Sequence, residues 1–89
     1  MTLQNKVALI TGGAMGIGFA VSEHLAEQGA RIVIADLNNA QAAAEKLKQK
    51  GHQAIGVQAN VAEEGDTEHM AKAALDAFGQ IDILVNNAA

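Results

Sequence analysis

The chain contains no cysteine, which excludes disulfide bonds, thiol chemistry and thiolate metal sites. It also contains no proline and no tyrosine. Because no proline-rich linker or low-complexity segment divides it, we interpret residues 1–89 as a single domain. A chain of this length buries only about 60–65% of the surface that its unfolded form exposes, so we expect a thin margin of stability.

Basic residues are scarce: six Lys and Arg stand against ten Asp and Glu, a formal charge of −4 at pH 7. Nucleic-acid binding requires clustered basic side chains. The nearest approach to a cluster is Lys46, Lys48 and Lys50, which we assign to the negative end of a helix. No apolar stretch approaches the ~20 residues of a membrane span, and the first residues lack a signal-peptide pattern. We therefore expect a cytoplasmic protein that binds neither nucleic acid nor membrane.

The three histidines do not indicate a metal site. His24, His52 and His69 are far apart in the sequence, and no spacing typical of metal ligands appears. We interpret them as solvated side chains and expect no bound metal.

Strand and helix signals alternate along the whole chain. Four short, almost continuously apolar runs predict strands covered on both faces, as in a parallel sheet: 6–11, 31–36, 53–58 and 82–86. Three amphipathic stretches between them predict helices, each followed by a glycine suited to a left-handed helix end: 16–28, 39–50 and 65–78. The order β-α-β-α-β-α-β implies right-handed crossovers between parallel strands.

A glycine-rich turn, TGGAMGIG, lies between the first strand and the first helix. Free N–H groups and a partial positive charge at a helix start attract a diphosphate that approaches closely. Gly12 suits the tight turn, Gly16 the approach of the diphosphate, and Gly18 the close packing of helix on sheet. The spacing differs from the commonest dinucleotide fingerprint, so the alternative is a tight connection without a ligand.

Asp36 ends the second predicted strand, 18 residues after Gly18, close to the ~20 expected for an acid that holds an adenosine ribose. Its carboxylate can accept both ribose hydroxyls. A 2′-phosphate would meet like charge there, and neither Met15 nor Leu37 supplies a cation. NAD is therefore favoured over NADP, with a simple cap or solvated strand end as the alternative.

Together, the turn T-G-x-x-x-G-I-G, the acid at position 36 and ILVNNA on the fourth strand resemble the short-chain dehydrogenase/reductase family. The likeness runs from about residue 6 to residue 88 and covers about the front third of the family's length. It implies an α/β fold, a Rossmann-like doubly wound parallel sheet truncated to β-α-β-α-β-α-β, with strand order 3-2-1-4.

The resemblance also implies a set of residues around a bound NAD. Those at the pyrophosphate are Gly12, Met15, Gly16, Ile17 and Gly18; Asp36 and Leu37 flank the adenosine ribose. Asn60 and Val61 match an Asp-Val pair beside the adenine, with an amide in place of the acid. Asn86 and Asn87 match the N-N-A-G motif, which braces the central strands, and Asn87 with Ala88 lines the cofactor groove; Ala89 replaces the motif's glycine.

The family's catalytic residues have no counterpart in this chain. Members use a tyrosine, a lysine four residues later and a serine, whereas this chain has no tyrosine and its only serine, Ser22, falls within the first helix. We expect the catalytic segment beyond residue 89 and no catalysis by the chain alone. The implied parent reaction is hydride transfer between NAD(H) and a small alcohol or carbonyl compound.

Two other hypotheses remain open: a non-catalytic nucleotide-binding or assembly module, and a structural relic that binds nothing. The fourth strand would leave an apolar sheet edge, which natural proteins normally cover. We therefore expect self-association or a complementing C-terminal part that supplies the next strand.

Overall fold

The computed structural model describes residues 2–60 and 64–87. Its elements follow the predicted alternation, and each described boundary lies within one residue of the predicted one. In chain order they are β1 (Val7–Thr11), α1 (Gly16–Glu27), β2 (Arg31–Asp36), α2 (Ala40–Gln49), β3 (Ala54–Gln58), α3 (Glu64–Phe78) and β4 (Ile83–Asn86).

The four strands form one parallel sheet in the order β3-β2-β1-β4, which confirms the predicted order. Leu9 at the centre of β1 lies opposite Val33 of β2 and Leu84 of β4. This register brings the carboxyl ends of β1, β2 and β4 to the same edge of the sheet, because parallel strands all run in one direction.

The sheet has a helical layer on each face. On one face α1 and α2 cover side chains such as Ile10, Ile32 and Ile34, all fully buried. On the other face α3 contributes Met70 and Ala74 to a second cluster with alternate residues of the same strands. Burial on both sides explains why β1 and β2 are apolar at successive positions rather than alternating.

Helix ends follow the sequence signals. Gly29, Gly51 and Gly79 all take left-handed φ angles, as predicted from their positions after the three helices. Lys50, at the end of α2, pairs with Glu23 of α1, and this carboxylate raises the pKa of Lys50. The interaction ties the two helices of one layer together, whereas Lys46 and Lys48 lie in the last turn of α2, where a helix dipole favours cations.

β4 occupies an edge of the sheet and pairs with β1. Its side chains alternate between half-buried and exposed, and Leu84 is 64% exposed on the face that carries α3. That helix packs against β2 and β3. An edge strand with an exposed apolar side chain is the feature expected from the sequence.

The start of β4 is fixed by a carboxylate. Asp82 accepts the backbone N–H of Val7 at 2.9 Å and the side-chain amide of Gln80 at 2.7 Å. The bond from Val7, followed by that from Gln80, lowers the pKa of Asp82 from its ordinary value. The ionised group therefore joins the amino ends of β1 and β4 at neutral pH.

Gly56, in β3, permits a contact that the sequence pattern did not indicate. A Cβ at this position would lie 2.3 Å from the carbonyl oxygen of Ala40 and 2.7 Å from the backbone nitrogen of Gln41. The side-chain amide of Gln41 also donates to the Gly56 carbonyl at 2.8 Å. The start of α2 therefore packs directly against the backbone of β3, the strand beside the one that ends at Asp36.

Gly56→Ala is expected to lower the free energy of unfolding by about 1–3 kcal/mol, because the methyl group would meet backbone atoms that cannot rotate away. The matched control is Gly65→Ala in α3, where an added Cβ meets nothing within 4 Å. That variant should raise stability by up to about 1 kcal/mol through helix propensity. Urea unfolding of both variants measures the difference, and equal effects would contradict the close packing.

Candidate functional site

The candidate site lies at the edge of the sheet where β1, β2 and β4 end. Thr11, Asp36 and Asn86 are the last residues of these strands, and the register places Thr11 beside both Ala35 and Asn86. In open α/β sheets, ligands bind outside the carboxyl ends of the strands where the strand order reverses. Here the order reverses between β1 and β4, because β2 and β3 lie on one side of β1 and β4 on the other.

The glycine loop leaves β1 through a left-handed residue. Gly12 has φ 66°, and its N–H donates to the carbonyl of Ala35 at 2.8 Å. Gly16, the first residue of α1, has φ 57°, and a Cβ there would meet nothing within 4 Å. The outer side of the loop at the helix start is therefore open, as a diphosphate site requires.

Gly18 is the point of closest approach in the site. A Cβ on Gly18 would lie 2.0 Å from the carbonyl oxygen of Gly12 and 2.7 Å from the side-chain nitrogen of Asn87. At Gly18, α1 therefore packs closely against its own preceding loop and the residue after β4, while the same helix also packs against β1 and β2. Any side chain at this position would separate α1 from the turn.

The carboxylate of Asp36 contacts the glycine loop directly. One oxygen accepts the N–H of Ala14 at 3.0 Å, and the other accepts the N–H of Asn38 at 3.3 Å. The acid and the loop thus lie on the same side of the sheet. Each carboxylate oxygen has a second lone pair, so the half-buried group retains capacity for ligand hydroxyls while it holds the loop.

Thr11 connects the loop to the end of β4, a role that sequence reasoning did not assign. Its hydroxyl oxygen accepts the N–H of Asn87 at 3.1 Å and lies 3.1 Å from the side-chain oxygen of Asn86. The side-chain amide of Asn87 donates to the Gly12 carbonyl at 3.3 Å. The two asparagines therefore join the carboxyl ends of β1 and β4. The threonine at the end of the first strand is the sequence feature that could have indicated this contact.

Other predicted site residues lie farther along the same edge. The N–H of Asn60 donates to the carboxylate of Asp66 in α3 at 2.7 Å, which fixes the chain just after β3. Asp66 was not among the site residues predicted from the sequence. Val61 and Ala88 lie outside the described residues.

Three large apolar side chains are exposed in the glycine turn, the first turn of α1 and the segment after β2. Met15 is 67% exposed, Ile17 76% and Leu37 51%. The side-chain amide of Asn39 lies 3.9 Å from the sulfur of Met15 and so links the glycine loop to the turn before α2. Exposed apolar groups beside convergent polar groups are typical of a ligand site.

Comparison with known proteins identifies the family. The short chain dehydrogenase family matches residues 6–89. The chain belongs to this family. The match confirms the resemblance found in the glycine turn, Asp36 and the terminal asparagines, and oxidoreductases of the short-chain dehydrogenase family bind nicotinamide dinucleotides.

Similar members of the short-chain dehydrogenase family come from several bacteria. The chain is 43% identical over 99% of its length to (2S)-[(R)-hydroxy(phenyl)methyl]succinyl-CoA dehydrogenase subunit BbsD of Thauera aromatica, covering 36% of that protein. It is 42% identical over 99% to short-chain dehydrogenase/reductase homolog YusS of Bacillus subtilis (strain 168), covering 84%. A FabG 3-oxoacyl-[acyl-carrier-protein] reductase of Staphylococcus epidermidis is 39% identical over 94%, of which the chain covers 36%.

The chain thus spans about a third of the length of BbsD and FabG, and most of the length of YusS. Within residues 2–60 and 64–87, no group of three or more acidic or histidine side chains is placed to hold a metal. No helix in the same part of the chain is long and apolar enough to cross a membrane.

Asp36→Ala should lower the free energy of unfolding by about 1–3 kcal/mol, because the N–H of Ala14 would lose its charged acceptor. Amide hydrogen exchange at Ala14 should also become faster in this variant. Asp76→Ala is the control, since that carboxylate is an exposed partner of Lys72; its effect should stay within about 0.5 kcal/mol. Unchanged exchange at Ala14 in Asp36→Ala would contradict the anchoring role of the acid.

Proposed function

We propose that the chain binds NAD(H) at the carboxyl edge of its sheet as the cofactor-binding part of a short-chain dehydrogenase/reductase. The observation that carries this proposal is the 3.0 Å contact between the Asp36 carboxylate and the Ala14 N–H. It brings the carboxylate into contact with the loop that leads into α1, which supports one groove for the ribose and the diphosphate of the same ligand. Neither group alone would distinguish a cofactor site from an ordinary tight turn.

The described residues fit such a ligand. The outer side of Gly16 is open, and Met15, the cap residue that precedes α1, makes no side-chain capping hydrogen bond. The N–H groups at the first turn of α1 would therefore hold the diphosphate. We assign the ribose to Asp36 and Leu37 and the adenine side to Asn60.

Three further assignments complete the proposed groove. Val61 would lie with Asn60 at the adenine, and Asn87 with Ala88 would line the cofactor groove. Asn87 supports this because its amide already contacts the glycine loop at Gly12. The chain's own residues thus bind and orient the dinucleotide.

The charge at Asp36 supports NAD rather than NADP. Its two oxygens already accept backbone N–H groups from Ala14 and Asn38, so the carboxylate is fixed in place. A 2′-phosphate at the same ribose would bring like charges together. Positions 37–39 read Leu-Asn-Asn and supply no cation to offset that repulsion.

For the whole protein we propose hydride transfer between NAD(H) and a small alcohol or carbonyl compound, in the cytoplasm. The relatives BbsD and FabG are named as a dehydrogenase and a reductase, which supports this class of reaction. The bound nicotinamide supplies the hydride chemistry. Because these 89 residues contain no tyrosine and place Ser22 in α1, buried with its hydroxyl donating to the Gly18 carbonyl, we assign the chain to binding.

A second candidate is a non-catalytic nucleotide-binding or assembly module. The exposed Leu84 on the edge strand β4 favours it, because such an edge can pair with another strand. Self-association or a complementing C-terminal part would cover that strand. The two candidates share the nucleotide site and differ in whether a catalytic segment joins it.

Thermal-shift titration of the chain with NAD, NADP and ADP-ribose tests the cofactor assignment. A ligand at one hundred times its Kd stabilises the fold by about 2.7 kcal/mol. We expect NAD and ADP-ribose to stabilise the chain similarly, and NADP to require at least about tenfold more ligand for the same shift.

Asp36→Ala should remove most of the difference between NAD and NADP, whereas Asp76→Ala should retain it. A chain that prefers NADP would contradict the assignment of Asp36. A large advantage of NAD over ADP-ribose would mean that the chain also holds the nicotinamide half. No shift with any nucleotide at millimolar concentration would favour a fold that binds nothing.

A further inference from the structure

Met15 presents its thioether at the entrance of the proposed groove. It is the N-terminal cap residue of α1, in extended conformation with φ −142°, and its side chain is 67% exposed. Met70, by contrast, is 3% exposed in the cluster beneath α3. Since methionine oxidation follows solvent exposure, these two side chains should differ strongly in their reaction with peroxide.

The sulfur of Met15 also makes a contact across the groove. The side-chain amide of Asn39 lies 3.9 Å from it, within reach of a weak N–H···S hydrogen bond. Asn39 is held in the left-handed conformation at φ 65° and precedes the first residue of α2. The thioether therefore lies between the glycine loop and the turn before α2, the two segments that the Asp36 carboxylate also connects.

We propose that Met15 is a site of reversible oxidation that regulates access of the dinucleotide to the glycine loop. A hydroperoxide would transfer one oxygen atom to the sulfur. The sulfur is oxidised by two electrons, the O–O bond breaks, and hydrogen peroxide is reduced to water. Methionine sulfoxide reductases reverse this modification in general.

The effect on the ligand rests on the proposed function. A sulfoxide oxygen is a stronger acceptor than a thioether, so it would bind the Asn39 amide more tightly and bridge the two loops. It also places an electron-rich oxygen beside the position assigned to an anionic diphosphate. We expect about a fivefold rise in the Kd for NAD, the size of one unfavourable polar contact.

Peptide mass mapping after limited treatment with hydrogen peroxide tests the site without nucleotide. Met15 should be oxidised at least about tenfold faster than Met70, in line with their exposure. Equal rates, or faster oxidation of Met70, would overturn the proposal whatever NAD does. Saturating NAD should slow oxidation of Met15 and leave the rate at Met70 unchanged.

Calorimetric titration with NAD before and after peroxide tests the consequence. Met15→Leu is the control, because this variant has no thioether at position 15. If oxidation of the other methionines has no effect, peroxide should leave the Kd of this variant for NAD unchanged, whatever its value before treatment. Met15→Gln, which carries a permanent amide oxygen, should resemble the oxidised chain. An unchanged Kd after full oxidation of Met15 would overturn the regulatory role.

Failure of this inference is distinguishable from failure of the proposed function. If the untreated chain binds NAD and peroxide changes nothing, the regulation is wrong and the cofactor site stands. If the untreated chain does not bind NAD, the cofactor site is wrong and the regulatory role falls with it, while the mapping still decides whether Met15 is the reactive thioether.

Discussion

The hydrogen bond from the Ala14 N–H to the Asp36 carboxylate is the interaction on which the site depends. It joins the loop after β1 to the end of β2, two segments 22 residues apart in sequence. A charged acceptor holds an N–H more strongly than a neutral one, and the partly buried location limits screening by water. The conformation of the glycine loop and the position of the acid are therefore set by the same contact.

A second set of contacts holds the other side of the loop. Thr11 and Asn87 connect the ends of β1 and β4, and the missing side chain of Gly18 lets α1 approach both the Gly12 carbonyl and Asn87. The glycine loop is thus held between β2 and β4 before any ligand is present. Such preorganisation reduces the ordering that binding would otherwise require.

The sequence predicted the elements to within one residue because three signals coincide: apolar runs, amphipathic periods and a glycine after each helix. The parallel order then places Thr11, Asp36 and Asn86 at one edge. The sequence pattern does not contain the distances between residues of different helices and strands. In the sequence Gly56 is an ordinary strand residue, and only the structure shows that α2 packs against it. The hydrogen bond from Asn60 to Asp66 likewise depends on the position of the start of α3. The cofactor contacts assigned to all of the site residues, Val61 and Ala88 included, remain predictions.

We propose that the start of α1 and the Asp36 carboxylate together hold a dinucleotide. Titration of the 15N-labelled chain with NAD, monitored through the amide chemical shifts, shows where the ligand binds. We expect the largest shift changes at residues 12–18 and 36–38, with small changes at residues 50–53 at the opposite end of the sheet. Changes concentrated at residues 50–53, or absent at residues 12–18 when the ligand is bound, would show that the dinucleotide binds elsewhere.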